Sequence, residues 1–500
     1  MEKSELRLLI EEEIEKLLEI SENYIAKDIG LHEMEKGILK QLLNLGLVLL
    51  EYIIKRKLTQ LNNYRIELGA YKKTGTKSRN YLSLFGKLKI VRPSYWSKEK
   101  GQFFKLDEIL KLPRDNYWSY NIQKMVGTNS TETDFRESIR LLNDLLDLGL
   151  SGKGSQRNVD RLGCHVEEFY DLTSYQCEEE GEHFMCSFDG KGVPKIKPAL
   201  SIRGNPKERL SRGEKRGIKQ MATVSVIASF TAKQSKQRGF ESILLGLMGQ
   251  EEPMYSLKKE EGLSIKSSKP IKQTDNKMYK NIHRRGFLAD QEKAIEYGIL
   301  ELKARMKDSK SRFVVPIDAG IGLEKKVLSC IKKHQLKSKF AGIVLDIVHV
   351  SEYVWEAGTA IFGEHSKFRR TWVRNTLEML LKGNVGKVIE ELKLHRDKTN
   401  LTKNKKKQLD TTITYFTNHQ HKMNYDWFLK KGYPISSSIV ESTCKHLIKD
   451  RMEQSGMRWS SQGAQDMMDL RAVKINGDIN ELMDFVIKKD RKVCITKIAA

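Results

Sequence analysis

The N-terminal part of the chain carries apolar side chains at helical spacing. Leucine and isoleucine recur every three or four positions between Glu5 and Leu61, and the pattern breaks near Asp28-Ile29-Gly30. Apolar residues at this period line one face of an α-helix. The pattern therefore predicts two or more helices, which we expect to serve in packing or self-association.

Two basic patterns follow. Alternating polar and apolar residues from Arg79 to Trp96 predict a β-hairpin that turns at Gly86-Lys87, with lysine and arginine at alternate positions. From Thr131 to about Val166 the pattern is a helix, a glycine-containing break and a polar second helix that bears arginines. This order resembles a helix-turn-helix, although any helical hairpin gives a similar pattern.

After about Glu178 the pattern changes to strands alternating with helices. The predicted strands are rich in β-branched and aromatic residues and cover 183–190, 221–230, 312–320 and 341–346. Helices are predicted at Asp290–Met306 and Leu323–His334, and a largely helical stretch at 350–430 is broken by the basic run Lys403–Lys407. This order predicts an α/β fold with a mixed sheet covered by helices.

The composition adds a partner class to this picture. Lysine and arginine number 89 against 65 acidic residues, which gives a net charge of +24, and 39% of the 500 residues are apolar. A chain of this size supports several folded units. The positive charge favours a polyanion, with nucleic acid first, over a merely solvated lysine-rich surface. A basic connector from Arg203 to Lys219 and a lysine-rich insertion from Lys233 to about Arg285 lie between predicted elements.

Cysteine spacing and hydropathy exclude other classes. The six cysteines are widely spaced and form no C-x-x-C pair, so we expect reduced, packed thiols rather than a zinc site. The N-terminus is acidic and amphipathic, and no stretch approaches the roughly 20 apolar residues that span a bilayer. We therefore expect a cytoplasmic protein that binds no membrane.

Three acidic residues are candidates for one metal site. Asp189 and Asp318 each follow an apolar run, and Glu441 falls in the first turn of a helix that Ser436-Ser437-Ser438 would cap. Converging carboxylates can hold two Mg²⁺ or Mn²⁺ ions about 3.5–4 Å apart, a spacing suited to in-line attack on a phosphodiester. Each aspartate is otherwise explained by a turn after a strand, and Glu441 by an ordinary surface helix.

Four segments resemble bacterial insertion-sequence transposases of the Kra type, which are DDE enzymes allied to the Mutator group. They are Ser187–Pro194, Arg212–Val224, Val344–Tyr353 and Gly432–Trp459, and the similarity runs from roughly Lys77 to Asn480. The resemblance implies a ribonuclease-H-like core with an all-helical insertion before the catalytic glutamate. It also implies Mg²⁺-dependent strand cleavage and strand transfer at the ends of a mobile element.

The resemblance also assigns residues. It implies that Asp189, Asp318 and Glu441 are the catalytic metal ligands, because the second catalytic aspartate of Mutator-like enzymes ends a strand. A separate D-x-x-H motif then makes Asp346 and His349 an auxiliary pair. Asp346 also ends a predicted strand, so it remains an alternative for the second metal ligand.

Basic side chains near these motifs are predicted to bind DNA. They are Lys445, Lys449 and Arg451 beyond Glu441, Arg157 and Arg161 in the possible helix-turn-helix, and Arg212, Lys215 and Arg216 in the basic connector. The expected partner is double-stranded DNA, as element ends and as target. Because two ends must be brought together, we expect a homodimer or a larger assembly on DNA.

The sequence thus predicts five regions and one function. The regions are a helical N-terminal region at 1–75, a DNA-end-binding region at 76–178, the first part of the core at 179–349, the helical insertion at 350–431, and the last part of the core with a C-terminal tail at 432–500. The predicted function is that of a DNA transposase. The alternatives are a domesticated or inactive DNA-binding regulator and a structure-selective DNA nuclease.

Overall fold

The computed structural model describes residues 3–26, 29–63, 72–98, 101–172, 179–196, 218–232, 240–249, 279–320, 322–398, 401–454 and 456–496. Its contacts divide the chain into two compact units. The first unit joins Met1–Leu172 to Gln465–Ala500, and the second is Thr173–Ala464. The C-terminal residues therefore group with the N-terminal unit, whereas the sequence had placed them with the core.

The first unit is mainly helical, with one small antiparallel sheet in the order β1-β2-β3. Its elements up to residue 172 are α1 (Lys3–Ala26), α2 (Leu31–Asn63), β1 (Lys72–Ser83), β2 (Gly86–Ser97), β3 (Gly101–Phe103), α3 (Lys105–Ile109), α4 (Tyr120–Ser130), α5 (Glu137–Leu146), α6 (Gly152–Gly163) and α7 (Val166–Leu172). The two predicted N-terminal helices and the predicted hairpin are confirmed.

The hairpin turns at Leu84-Phe85, just before the predicted turn, and its basic residues divide between its two faces. Lys87 and Lys89 are exposed on one face. On the other face Arg79 and Arg92 both bind the Asp107 carboxylate. The Nη1 atom of Arg79 lies 2.9 Å from the Oδ2 atom of Asp107. The arginines are therefore held by an internal ion pair, and only the lysines are presented to solvent.

The predicted helix, break and helix between 131 and 166 are also present. Helix α5 ends at Asp147, which adopts a left-handed conformation with φ of 48°. Helix α6 begins at Gly152 because Ser151 caps it, with its Oγ accepting the Gly154 N–H at 3.1 Å. The polar side of α6 carries the exposed Arg157.

The second unit contains a mixed five-stranded sheet with helices on both faces. Its elements are β4 (His183–Pro194), β5 (Lys219–Phe230), α8 (Phe240–Met248), β6 (Tyr279–Leu288), α9 (Gln291–Arg305), β7 (Phe313–Ile317), α10 (Leu323–Lys333), β8 (Phe340–Leu345), α11 (Ile347–Phe362), α12 (Lys367–Leu381), α13 (Val385–Lys398), α14 (Lys403–His419), α15 (Tyr425–Lys431), α16 (Ser438–Cys444), a π-helical turn (Lys445–Lys449) and α17 (Asp450–Met452). The chain ends with α18 (Ser461–Asn476) and α19 (Ile479–Thr496).

The sheet order is β6-β5-β4-β7-β8, in which β4, β5 and β6 pair antiparallel and β4, β7 and β8 pair parallel. Residues Phe184–Phe188 of β4 and Ala222–Phe230 of β5 are buried without a break, because alternate residues enter two different cores. Phe184 and Phe188 pack against α9 and α10, while Met185 packs in the larger core formed with α11 to α15. The expected α/β class is confirmed.

Two sequence predictions in this unit are wrong. The stretch that was predicted to be a polar insertion contains helix α8 and most of strand β6. The polar residues of β6 are accommodated because β5 supplies backbone pairing along one side. The basic run Lys403–Lys407 was predicted to be a helix break, but it forms the first turns of α14. Lysine is a good helix former, and these lysines are exposed, so their charges stay in water while the backbone is helical.

Within the part of the chain that the structure describes, one helix is long and apolar enough to cross a membrane by length and composition alone. It covers Leu31–Leu61 within α2, with a mean hydropathy of 1.5 over its most apolar window. The expectation that no such segment exists therefore fails for this helix. The run is interrupted by Lys40 and Glu51, both of which are exposed.

Candidate functional site

Three aspartates stand level on three adjacent parallel strands. Met185 of β4 pairs with Val314 of the parallel strand β7. Asp189 and Asp318 each lie four residues after these partners, so they are at the same height in the sheet. Ile317 pairs with Leu345 of β8, so the next residues, Asp318 and Asp346, are level too. Because side chains alternate along a strand, all three positions point to the face that bears Met185 and Val314. That face is the one covered by the helices that follow β8.

Asp189 lies inside its strand rather than at its end. Strand β4 continues to Pro194, which corrects the prediction of a strand that stops at Asp189-Gly190. The side chain is half-buried. Burial raises the pKa of Asp189; the Cys444 thiol and the Gly190 N–H, which donate to it, act in the opposite direction, and the nearby charge of Asp318 adds to the increase. The net shift is upward, as expected for a carboxylate held close to another one.

Asp318 directly follows β7 and is half-buried. Its Oδ1 accepts the N–H of Gly320 at 3.2 Å, in a turn before helix α10. Its carboxylate therefore retains most of its capacity to accept further hydrogen bonds or to bind a cation.

Asp346 is fully buried and caps α11. Its Oδ1 accepts the Val348 N–H at 2.7 Å, and its Oδ2 accepts the Ser437 N–H at 3.1 Å as well as the Ser437 hydroxyl. Its own N–H donates to the Ile317 carbonyl at 2.9 Å, which ties the start of α11 to the end of β7. Most of the lone pairs of this carboxylate are therefore used within the protein.

Glu441, His349 and Asp346 lie close together. One ligand atom from each falls within 4.8 Å of the others, and the Nε2 atom of His349 lies 3.4 Å from the Oε1 atom of Glu441. Burial and then the charge of Asp346 raise the pKa of Glu441 to about 7. Burial lowers the pKa of His349, but the carboxylates of Glu352, Asp346 and Glu441 outweigh burial, and the net shift is upward. Acidic groups crowd here, and a cation would relieve their repulsion.

Sequence reasoning missed Ser437 and Cys444. Ser437 stands at the N-cap position of α16 but makes no cap hydrogen bond; its hydroxyl donates to Asp346 and lies 3.4 Å from the Oε1 atom of Glu441. Of the predicted serine cap, Ser436 supplies the hydrogen bond, with its Oγ accepting the Ser438 N–H at 3.1 Å, whereas the Ser437 hydroxyl goes to the buried carboxylate, which is the stronger acceptor. Cys444 is one turn beyond Glu441 and donates to Asp189. The spacing of Glu441 and Cys444 on one helical face was the available signal.

The basic residues beyond Glu441 separate into two groups. Lys445 and Lys449 are exposed in the π-helical turn. Arg451 is fully buried, with its guanidinium 5.2 Å from the centre of the Trp459 ring and its Nη1 atom 2.9 Å from the Met457 sulfur. The prediction that Arg451 contacts DNA is therefore wrong for this conformation, because its charged group is enclosed by the protein.

The other predicted DNA contacts also differ in exposure. Arg157 is exposed, whereas Arg161 is bound at 2.7 Å to the Asp490 carboxylate and also donates to Gln123. Arg161 therefore stabilises its own unit. The remaining candidates, Arg212, Lys215 and Arg216, lie outside the described residues.

The donor set fits a hard divalent cation. The level aspartates and Glu441 supply carboxylate oxygens, with one imidazole nitrogen from His349 beside them, and oxygen donors of this kind suit Mg²⁺ or Mn²⁺. Asp346 is the least available of the acids, because its oxygens already accept the hydrogen bonds from Val348 and Ser437. Asp318 remains our prediction for the second ligand.

Comparison with known proteins adds no assignment. Neither a known family model nor a curated protein matches this chain.

Proposed function

We propose that this chain is a DNA transposase that binds the ends of an insertion sequence and catalyses Mg²⁺-dependent strand cleavage and strand transfer. The observation that carries the proposal is the convergence of acids: Asp189, Asp318 and Asp346 are level on adjacent parallel strands, and Glu441 is close enough to Asp346 and Asp189 for their charges to raise its pKa. Titratable groups whose pKa is shifted by burial together with a specific charge partner cluster at functional sites.

The strand order supports a ribonuclease-H-like core. An antiparallel meander of β4, β5 and β6 is followed by two parallel strands, β7 and β8, reached through helices. Helices α11 to α15 then separate β8 from the helix that bears Glu441. This is the arrangement that the resemblance implies, with the helical insertion placed before the catalytic glutamate.

Each residue has a distinct role in this proposal. Asp189, Asp318 and Glu441 would hold the cations, which when bound supply activation of the attacking hydroxyl and charge neutralisation at the phosphate. Asp346 positions the start of α16 through Ser437 and so fixes the approach of Glu441. His349, beside Glu441, can share a proton with that carboxylate. The exposed Lys445 and Lys449 face solvent one and two turns beyond Glu441, where they can bind DNA phosphates.

The proposal is tested with purified full-length protein and DNA carrying the sequences that flank its gene. Mg²⁺-dependent strand cuts at the element boundary are expected for the wild type. Asp189→Asn, Asp318→Asn and Glu441→Gln should each reduce cutting by at least about 10³-fold while retaining DNA binding. Glu364→Gln, an exposed acid in the turn before α12, is the matched control and should cut normally.

Two results would count against it. DNA binding without any metal-dependent cutting would move the assignment to a regulator that has lost catalysis. Cutting of branched DNA without preference for the element boundary would move it to a structure-selective nuclease.

A further inference from the structure

Two sides of helix α2 are used inside its own unit. On the side facing α1, the amide of Gln41 donates to the Oε2 atom of Glu13 at 2.6 Å, and both residues are buried. On a second side Leu50 and Ile54 pack against a core that includes Leu88 of β2. These contacts fix the position of α2 and leave its third side outward.

The third side is a regular apolar stripe. Ile38, Leu42, Leu49 and Ile53 are 39%, 50%, 38% and 49% exposed. Their spacings of four, seven and four residues keep them on one helical face, as in the seam of a coiled coil. We call these four residues the α2 seam.

The α2 seam is symmetric about its own centre. Glu35 lies three residues before Ile38, and Arg56 lies three residues after Ile53; both are exposed. When two copies of the helix are placed antiparallel about a two-fold axis between Leu42 and Leu49, Ile38 of one copy lies opposite Ile53 of the other. Leu42 then lies opposite Leu49, and Glu35 lies opposite Arg56. A self-complementary patch of this kind is what a two-fold interface requires.

We propose that the α2 seam pairs antiparallel with the same seam of a second copy of this chain. The apolar residues form the centre of the interface, and a Glu35–Arg56 ion pair closes each end. The pairing concerns only the first unit, so it does not rest on the proposed catalytic function.

A second copy fits this face better than a lipid bilayer. Helix α2 passes a length-and-composition test for a membrane span. A helix in hydrocarbon, however, presents apolar side chains on every side. Here Lys40 and Glu51 are exposed within the apolar run, and the Gln41–Glu13 pair occupies another side. The exposed apolar surface is thus a narrow stripe, which suits a facing helix.

The first test is the oligomeric state of the full-length protein, without DNA or metal, measured by sedimentation over a range of concentrations. A dimer is expected. Leu42→Glu should raise its dissociation constant at least about 100-fold, because it places a charge against Leu49 of the other copy. Leu141→Glu is the matched control: this leucine is 60% exposed on α5 of the same unit, and its replacement should change nothing. Circular dichroism of each variant verifies folding.

The second test determines the direction of pairing. Glu35→Arg and Arg56→Glu should each weaken the dimer by about 3- to 10-fold, and the double variant should restore it, because the charges are then exchanged across an antiparallel interface. A parallel pair would place Glu35 against its own counterpart, and the double variant would show no restoration.

Each contrary outcome overturns the proposal. A wild-type monomer at all concentrations, or a dimer unaffected by Leu42→Glu, excludes the seam as the interface. If the wild type floats with phospholipid vesicles and Leu42→Glu does not, the face binds a bilayer instead. Failure to cleave DNA, by contrast, would affect only the catalytic proposal.

Discussion

Replacement of Glu441 by glutamine should make the protein more stable at alkaline pH while abolishing its activity. Glu441 is half-buried and close to Asp346 and Asp189, and burial followed by these charges raises its pKa to about 7. Holding this group ionised in the folded protein therefore costs free energy. Glutamine keeps the shape of the side chain and removes the charge.

The size of the effect follows from the shift. A rise from the ordinary value near 4.5 to about 7 corresponds to about 3 kcal/mol for an enclosed group. The side chain is 36% exposed, so screening by water reduces this to about 1–2 kcal/mol. Between pH 4.5 and about 7, the Glu441 carboxyl group is protonated in the folded protein but ionised in the unfolded chain. Stability of the wild type therefore falls as the pH rises through this window.

Thermal unfolding measures the difference. At about pH 8, Glu441→Gln should raise the midpoint by about 2–3 °C, and at about pH 5 the difference should shrink to about a quarter, because the wild-type group is then protonated in the folded state. Mg²⁺ should raise the midpoint of the wild type more than that of the variant. Glu364→Gln provides the control. A variant that is less stable than the wild type at pH 8, or a difference that does not change with pH, would refute the reasoning.

Three further predictions follow from the site. Arg451→Ala should destabilise the protein by about 2–4 kcal/mol in chemical denaturation, with DNA affinity at fixed salt unchanged in the fraction that folds, because this guanidinium is buried. Lys445→Ala and Lys449→Ala should leave stability unchanged and each reduce the salt dependence of DNA binding by about one unit of slope, as measured by fluorescence anisotropy; a slope equal to that of the wild type would contradict a phosphate contact. Asp346→Ala should cost about 2–5 kcal/mol of stability because it leaves three buried hydrogen-bond donors without an acceptor, whereas Asp318→Ala should abolish Mn²⁺ binding at little cost in stability; the reverse pattern would make Asp346 the ligand.

The sequence predicted those parts of the fold that depend on local apolar pattern. Strands β4, β5, β7 and β8 were found because their apolar residues form short, nearly continuous runs, and helices α9 and α10 because their apolar residues recur at helical spacing. Helix α8 was missed, because it lies in the stretch that was predicted to be an insertion. The edge strand β6 was missed because its residues are polar, and its pairing with β5 is a long-range property that no local pattern encodes. Asp189 was placed at a strand end for a similar reason: the polar residues after it resemble a turn, yet five further cross-strand pairs with β5, from Gly190 to Pro194, extend the strand.

The candidate site was predictable in its residue types but not in its contacts. The level positions of Asp189, Asp318 and Asp346 follow from parallel register, which the sequence leaves open. The sequence also does not show which basic residues are exposed. Arg451 and Lys449 are two residues apart, but only the arginine faces inward, over Trp459. Such differences depend on which side of a helix meets the core.

The central claim, that separate acids form one metal pocket, is tested most directly by calorimetric titration of Mn²⁺ at about pH 7 in two buffers with different ionisation enthalpies. Since the pKa of Glu441 is about 7 without metal, binding should release about half a proton from this group, and both the release and tight binding should disappear in Glu441→Gln. Asp189→Asn should also weaken binding. If Mn²⁺ does not bind, or binds equally well with no proton release in wild type and Glu441→Gln, the acids do not form one metal pocket and the account is wrong.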